Sequence, residues 1–345
     1  MAGVLAGPSV GVFFSELGAK VIKVENKKTN GDVTRSWKLS SEEKGNTPGA
    51  YYWSVNTGKE VLFLDITQTD ELNKLYELIK SADIVITNYK KGDDEKLKVS
   101  YTHLQTLNPQ LIYASINGFG HNSNRIAYDL ILQAESGFMF MNGEKNAQPL
   151  KMPVALIDVI AGHQLKEAIL IALLKKERTG KGSQISVSLF DSAIASLVNQ
   201  ATNWLIANQL PQATGSLHPN IAPYGEIFKT SDGHLITFAI GSDKQFIHLC
   251  DFLGLNEIPV SPKFSSNQQR IINRNELFEV LNPKISPLKF SDIYDYCLQH
   301  EILVAKIRNL KEVFELPEAK AMLKTFTDNG ITKTAVQSIA FKFLD

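Results

Sequence analysis

The sequence predicts an α/β protein: a Rossmann-like large domain built on a mostly parallel sheet, followed by a smaller α+β domain. Three observations carry this. Short apolar runs of strand type alternate with helical segments through the first 120 residues, the pattern of strands laid parallel with helices on both faces. NQLPQATGSLHPNIAPYG (208–225) is rich in Pro, Gly and small polar residues, as a linker is. GEIFKTSDGHLITFAIG (225–241) then reads as two strands joined by an Asp232-Gly233 turn. The expected boundaries are 1–207 for the large domain, 208–222 for the linker, 223–308 for the small domain and 309–345 for a return to the large one.

The elements follow in order. Gly7-Pro8 makes a turn, and residues 9–17 repeat apolar positions at helical spacing until Gly18 stops them. AKVIKVE (19–25), EVLFLDIT (60–67), ADIVITNY (82–89) and LIYASINGFG (111–120) read as strands, with a helix over 69–81. The apolar run VALI (154–157) reads as a further strand that Asp158 ends, and a long helix follows with apolar residues at Ile169, Leu170, Ala172, Leu173 and Leu174. In KKERTGKGSQ (175–184) the glycines suit a helix C-cap and turn, and the basic residues suit the helix's negative end. Another helix is expected near 188–208, helical segments from 243 to 308, and a terminal strand at TAVQSIAFKF (334–343).

Composition narrows the function classes. Lys plus Arg and Asp plus Glu number 36 each, so nothing suggests a dedicated nucleic-acid or anionic-membrane surface, and an anionic ligand must be met by local charges. Cys250 and Cys297 lack metal-ligand spacing and read as two buried free thiols. With no long apolar run, and no basic segment before the short apolar run that Glu16 ends, the expectation is a reduced, soluble, cytoplasmic protein without a secretory signal.

GFGHNS (118–123) lacks the third glycine of a dinucleotide fingerprint, and no G-x-x-x-x-G-K-[ST] occurs. Asp158 stands at a strand's carboxyl end and a helix's start, where ligands of open parallel sheets bind; it serves either as a helix cap or as chemistry. Arg35 and Trp37 in GDVTRSW (31–37), Lys59, and Asn88 and Tyr89 in TNYKKGDDEKL (87–97) lie near strand mouths, where cations would serve phosphates and aromatic rings an adenine.

VLAGPSVGVFFSELGAKVIKVE, GDVTRSW, NTGKEVLFLDI, ADIVITNYKKG, LNPQLIYASINGFG, YDLILQAESGF, IDVIAGHQLKEAILIALLKKERTGKG and HPNIAPYGEIFKTSDG, in this order, resemble the family III CoA-transferases over nearly the whole chain. That family also holds the carnitine CoA-transferases, formyl-CoA:oxalate CoA-transferase and the 2-methylacyl-CoA racemases. The resemblance implies an interlocked homodimer, acyl-CoA and a carboxylate acceptor as partners, coenzyme A as part of the substrate, and no tightly bound cofactor or metal. It also implies that Asp158 is the nucleophile, forming first a mixed anhydride with the acyl group and then an aspartyl-CoA thioester. With a reference pKa of about 3.9, such a carboxylate is expected to be already ionised and to need positioning more than a base.

The same resemblance places Arg35, Asn88, Tyr89 and Lys96 at positions that hold CoA, Lys96 where the formate enzyme has arginine, and Tyr128 near the catalytic site. An arginine-to-lysine change keeps the charge and loses bidentate phosphate contact. Racemases of the family carry a histidine where this chain has Tyr128, and a small-domain glutamate where it reads AIGSDKQF (239–246), which favours the transferase branch. A non-catalytic CoA-binding protein is a third possibility. His121 reads as solvated and His163 as a packing or surface residue, while Arg125 is a nearby cation without a matched position. The strand usual in the family before VLAGP has no counterpart here, so either the sheet lacks an edge or the sequence lacks its first residues; the formate enzyme's glycine-rich flap is also without a counterpart near Gly241-Ser242.

Overall fold

The computed structural model describes residues 1–344 other than 44 and 46. The chain divides into two compact units, one of Met1–Met139, Lys151–Pro211 and Ala321–Asp345, the other of Phe140–Leu150 and Gln212–Lys320.

The first unit runs α1 (Ala6–Glu16), β1 (Ile22–Asn26), β2 (Glu60–Leu64), α2 (Thr69–Ser81), β3 (Ile84–Thr87), α3 (Tyr101–Leu107), β4 (Ile112–Asn117), α4 (Asp129–Glu135), α5 (Leu156–Thr179), β5 (Ser183–Ser188), α6 (Leu189–Ala195) and α7 (Val198–Leu205). β3, β4 and β5 pair in parallel, with Ile84 opposite Ile112 and Ile112 opposite Ser183. β4 is buried on both faces because its residues alternate between two cores. Tyr113 joins Leu72, Leu75, Ile79 and Leu104 of α2 and α3, whereas Ala114 and Ile116 join Val10 of α1 and Ile157, Ala161, Leu165 and Ile169 of α5. The mixed α/β architecture with parallel sheets is thus as expected.

The expected single sheet is instead two parallel ladders, since β1 and β2 pair only with each other, Ile22 opposite Glu60. Residues 2 and 3 bridge the ladders. Lys23 Nζ on β1 donates to the Ala2 carbonyl at 3.1 Å, and Asn88, just past β3, exchanges hydrogen bonds with Gly3 in both directions at 3.0 Å. Side chains thereby take the backbone groups of Ala2 and Gly3 that a strand ladder would otherwise use.

Helix α5 buries Ile157, Ala161, Leu165, Ile169 and Ala172, one stripe at three- and four-residue spacing. α1 approaches it closely at Gly162, where a Cβ would stand 2.6 Å from Ser9 Oγ and 3.3 Å from the Ala6 carbonyl oxygen. Gly180 ends α5 in the left-handed region (φ 65°), as expected of the C-cap.

Several sequence expectations are corrected. Residues 154–157 form no strand, because α5 already begins at Leu156. β5 begins where the sequence predicts a turn; its sequence, SQISVS, is short and half polar, and its place is set by Gly182, where any Cβ would lie 2.1 Å from the Leu111 carbonyl oxygen. The helix expected over 188–208 breaks into α6 and α7.

In the second unit, β6 (Tyr224–Lys229), β7 (Leu235–Ala239) and β8 (Leu303–Lys306) form an antiparallel sheet in that order, covered by α8 (Asp243–Phe252), α9 (Asn267–Ile272), α10 (Arg274–Ile285) and α11 (Phe290–Gln299). The Asp232-Gly233 turn joins β6 to β7 as expected, with Gly233 at φ 83°. β8 was missed: four residues, LVAK, offer too little periodicity against their helical surroundings. Cys250 and Cys297 are the expected buried free thiols, and burial pushes both up to about 12.

The C-terminal strand is a hairpin of β9 (Leu323–Asp328) and β10 (Ile331–Val336), so the strand expected over 334–343 is shifted toward the N-terminus. Among the described residues, no helix is long and apolar enough to cross a membrane.

Candidate active site

A cavity of about 130 Å³ opens in the first unit at the carboxyl ends of β3, β4 and β5. Asn88, Tyr89, Lys90 and Lys91 follow β3, Asn117 ends β4 and Leu189 follows β5; all six line it. The remaining wall comes from residues 3–6 at the start of α1, from Ile116 and Gly118 on either side of Asn117, from residues 123–128 and from Asp158. Parallel strands stop at one level and their connections splay apart there, which leaves a crevice with helix starts and loop side chains around it.

Asp158 reaches this cavity from the first turn of α5, not from a strand end as expected. It is also not the cap: Ala155 holds that position and makes no side-chain cap hydrogen bond. The free N–H groups of the turn go to Asp129 on α4, whose Oδ1 accepts from Ile157 N at 2.8 Å and from Asp158 N at 3.3 Å. Asp129 Oδ2 accepts from Gln133 Nε2, and Gln133 Oε1 accepts from Met152 N at 2.8 Å. Gln133 is fully buried.

The Asp158 side chain therefore takes no part in capping α5. The residue is 8% exposed, and its carboxylate accepts no hydrogen bond among the described residues. Burial, with the charge of Asp129 added, pushes its pKa up to about 7. The expectation of a carboxylate already fully ionised at neutral pH is corrected by this environment, which no one-dimensional spacing reveals.

Of the other predicted residues, Asn88, Tyr89 and Tyr128 share the cavity wall with Asp158, while Arg35 and Lys96 do not. Tyr128 is 56% exposed and lies edge-on to Trp37 at 6.4 Å, which in turn meets Tyr51 at 5.1 Å. Tyr89 is pushed up to about 12 by burial, with the charge of Asp94 adding to it. Arg35 is held by Glu25 at 2.6 Å and by Tyr52 at 2.8 Å, with its guanidinium over the Tyr52 ring. Lys96 is exposed and pairs with Asp93 at 3.5 Å.

Lys59 is no phosphate ligand, because its ammonium donates to the Pro8 and Val55 carbonyls and to Asn56 Oδ1 at 2.6–2.9 Å inside the fold. His121 and His163 are both exposed. Sequence reasoning did not single out Lys90, Lys91 and Asn117, or Asp129 as the anchor of α5. Lys90 and Lys91 carry a usable signal, two basic residues just past a strand end, whereas Asp129 and Asp158 are 29 residues apart and nothing local joins them.

The model of CoA-transferase family III matches residues 1–344. The chain belongs to the family III CoA-transferases. Among relatives of this CoA-transferase, the succinate–glutarate CoA-transferase of Agrobacterium fabrum is 36% identical over 93% of this chain and 81% of its own length. The human succinyl-CoA:glutarate CoA-transferase is 33% identical over 91% of this chain and 71% of its own. A solved CAIB/BAIF family protein from Brucella suis superposes with a TM-score of 0.84 at 34% identity, covering 100% of this chain and 90% of that one. As a family III CoA-transferase, the protein is a transferase, and a CoA thioester is its kind of substrate. Its cavity is lined by a buried carboxylate and by Lys90, Lys91 and Arg125.

Proposed function

We propose that the protein moves CoA from an acyl-CoA to a carboxylic acid, with Asp158 as the nucleophile. The observation that carries this is the Asp158 carboxylate itself, buried, without a donor, and set in the wall of a cavity at three strand ends. An Asp158 oxygen attacks the thioester carbonyl; the C–S bond breaks and CoA leaves as thiolate with the electron pair, giving a mixed anhydride. The thiolate then attacks the aspartyl carbonyl and releases the donor acid, leaving an aspartyl-CoA thioester. The acceptor carboxylate reverses the two steps: it displaces the thiolate to form a new anhydride, and the thiolate takes the acyl group and frees Asp158. Holding the reactants in line would supply about 7–11 kcal/mol of the barrier reduction.

In this reading Asn88 and Tyr89 hold CoA along the cavity wall, and Tyr128 closes its mouth near the reacting carbonyl. Lys96, exposed and loosely paired, is the candidate for a CoA phosphate, while Arg35 would contribute only through what Glu25 and Tyr52 leave of its guanidinium. Succinyl-CoA with glutarate is the first pair to try, because two relatives carry those names. A homodimer belongs to the same proposal, supported by the exposed apolar side chains Leu170, Ile171 and Leu174 of α5 and Leu205 at the end of α7; light scattering is expected to give twice the monomer mass.

Incubation with acyl-CoA alone, followed by peptide mass spectrometry, is expected to show a hydroxylamine-sensitive acyl or CoA adduct on Asp158. A second reading, α-proton removal by Asp158, is favoured by its raised pKa. It predicts solvent deuterium entering the acyl-CoA α-carbon with no adduct and no acceptor acid, and that result would replace the transferase proposal.

A further inference from the structure

Asp129 has no place in the steps above, yet it is bound more closely to the Asp158 turn than any other side chain. It opens α4, and its two oxygens face different elements: Oδ1 accepts the Ile157 and Asp158 N–H groups of α5, and Oδ2 accepts the side-chain amide of Gln133. Gln133 is then committed through its own Oε1 to the Met152 N–H, in the segment leading into α5. The first turn of α5 is clamped to α4 at two levels.

Two consequences follow for Asp158. The N–H groups at a helix start would ordinarily be available to a nearby anion; here two of them are already taken by Asp129. A second carboxylate also stands next to the nucleophile, and its charge opposes ionisation of Asp158.

We propose that Asp129 is a positioning residue for Asp158: it fixes the first turn of α5 and, by occupying the turn's donors with its own charge, keeps the Asp158 carboxylate unstabilised until it is acylated. Once Asp158 carries an acyl or CoA group it is neutral, and the repulsion is gone. The clamp thus raises the energy of the free carboxylate and not of the adduct, so that the difference appears as reactivity. The inference rests on Asp158 being the nucleophile.

Other groups at the cavity carry different signs or none. Lys90 and Lys91 after β3 and Arg125 in the loop carry basic side chains, Arg125 being paired with Glu135, and Tyr89 and Tyr128 contribute phenol rings. Tyr51 also feels the charges of Asp158 and Asp129, which raise its pKa after burial has done so. Among the described residues, Asp129 is the anion coupled to Asp158.

The test measures single-turnover adduct formation on Asp158 from pH 5 to 9, together with a carbon-13 titration of labelled aspartate carboxyls in which Asp158 is assigned by its disappearance in Asp158→Asn. In the unmodified protein both are expected to show a midpoint near 7. Asp129→Asn should move both midpoints down by about one unit or more. Asp129→Ala, which also removes the clamp, should in addition lower the plateau rate by about 100-fold, the cost of a small misplacement of a reacting group.

Asp129→Asn sets an amide against the Gln133 amide. The double variant Asp129→Asn with Gln133→Glu restores the donor–acceptor pattern and returns a negative charge one side chain farther away, so its midpoints should lie between the other two. Unmoved midpoints in both the single Asn and the double variant would overturn the inference. A carbon-13 midpoint that moves as described, with no adduct on Asp158 in any variant, would support the clamp and instead sink the nucleophile.

Discussion

Asp158→Asn is expected to abolish CoA transfer and, above neutral pH, to make the protein more stable. The loss of transfer should be about 10⁴-fold or more, as for removal of other covalent nucleophiles. The stability change follows from the raised pKa. Its causes, burial and the charge of Asp129, hold the folded-state carboxyl at about 7 against the 3.8 of a free aspartate, so the folded protein binds this proton more tightly than the unfolded chain does. Its contribution is complete below about pH 4 and is lost progressively as pH climbs through 7. Three pKa units correspond to about 4 kcal/mol, an upper bound for the cost of carrying the charge at pH 8.

An amide carries no such charge. Urea denaturation at pH 8 should therefore find Asp158→Asn about 2–4 kcal/mol more stable than the unmodified protein, and at pH 4.5 only about 1 kcal/mol more stable. A variant that is inactive and also less stable at pH 8 would show that Asp158 is structural and its carboxylate satisfied. Sites built for reaction hold groups the fold would otherwise exclude, and removing them commonly stabilises.

The second large effect concerns stability alone. Arg270 on α9 is 2% exposed, and it ties three segments of the second unit together. Its Nε donates to the Ala222 carbonyl at 2.8 Å, Nη1 to the Phe264 carbonyl at 3.1 Å and Nη2 to Asp243 at 2.6 Å, while its guanidinium lies 4.5 Å from the Phe246 ring centroid. Arg270→Met fills much of the volume but leaves two buried carbonyls without donors, at about 1–3 kcal/mol each. The expected loss is about 3–5 kcal/mol. Asp243 adds little, since it is well exposed and can be solvated once its partner is gone.

The buried thiols report this opening directly. Cys250 and Cys297 sit in the same apolar cluster as Phe246 and Phe264. Alkylation of both should accelerate by about 100-fold or more in Arg270→Met, because exchange of a buried group follows the opening equilibrium. Unchanged alkylation rates in a folded variant would show that the three hydrogen bonds contribute little.

The alternation of strands and helices is legible because burial imposes periodicity: β4 begins with an apolar run since it faces two cores, and the helix expected over 69–81 is α2. Gly180 and the Asp232-Gly233 turn were legible because their backbone conformations favour few residues. β5 and β8 were not, being short and set by neighbours: β5 by the close approach of Gly182 to Leu111, β8 by pairing with β7. Resemblance of the ordered motifs singled out Asp158, Asn88, Tyr89 and Tyr128, which the fold brings to one cavity.

Written in the chain, then, are the α/β class, the family and the aspartate to suspect, because these depend on local patterns and on residue types at fixed spacing. Left to three dimensions are the state of that aspartate and the company it keeps. Asp129 and Asp158 meet through the packing of α4 against α5, and desolvation is a property of everything that surrounds a carboxylate, wherever in the sequence it comes from. The same holds for Arg35 and Lys59: each is a cation near a strand mouth in the sequence, and each is turned by the fold toward partners already waiting, a carboxylate for one and backbone carbonyls for the other.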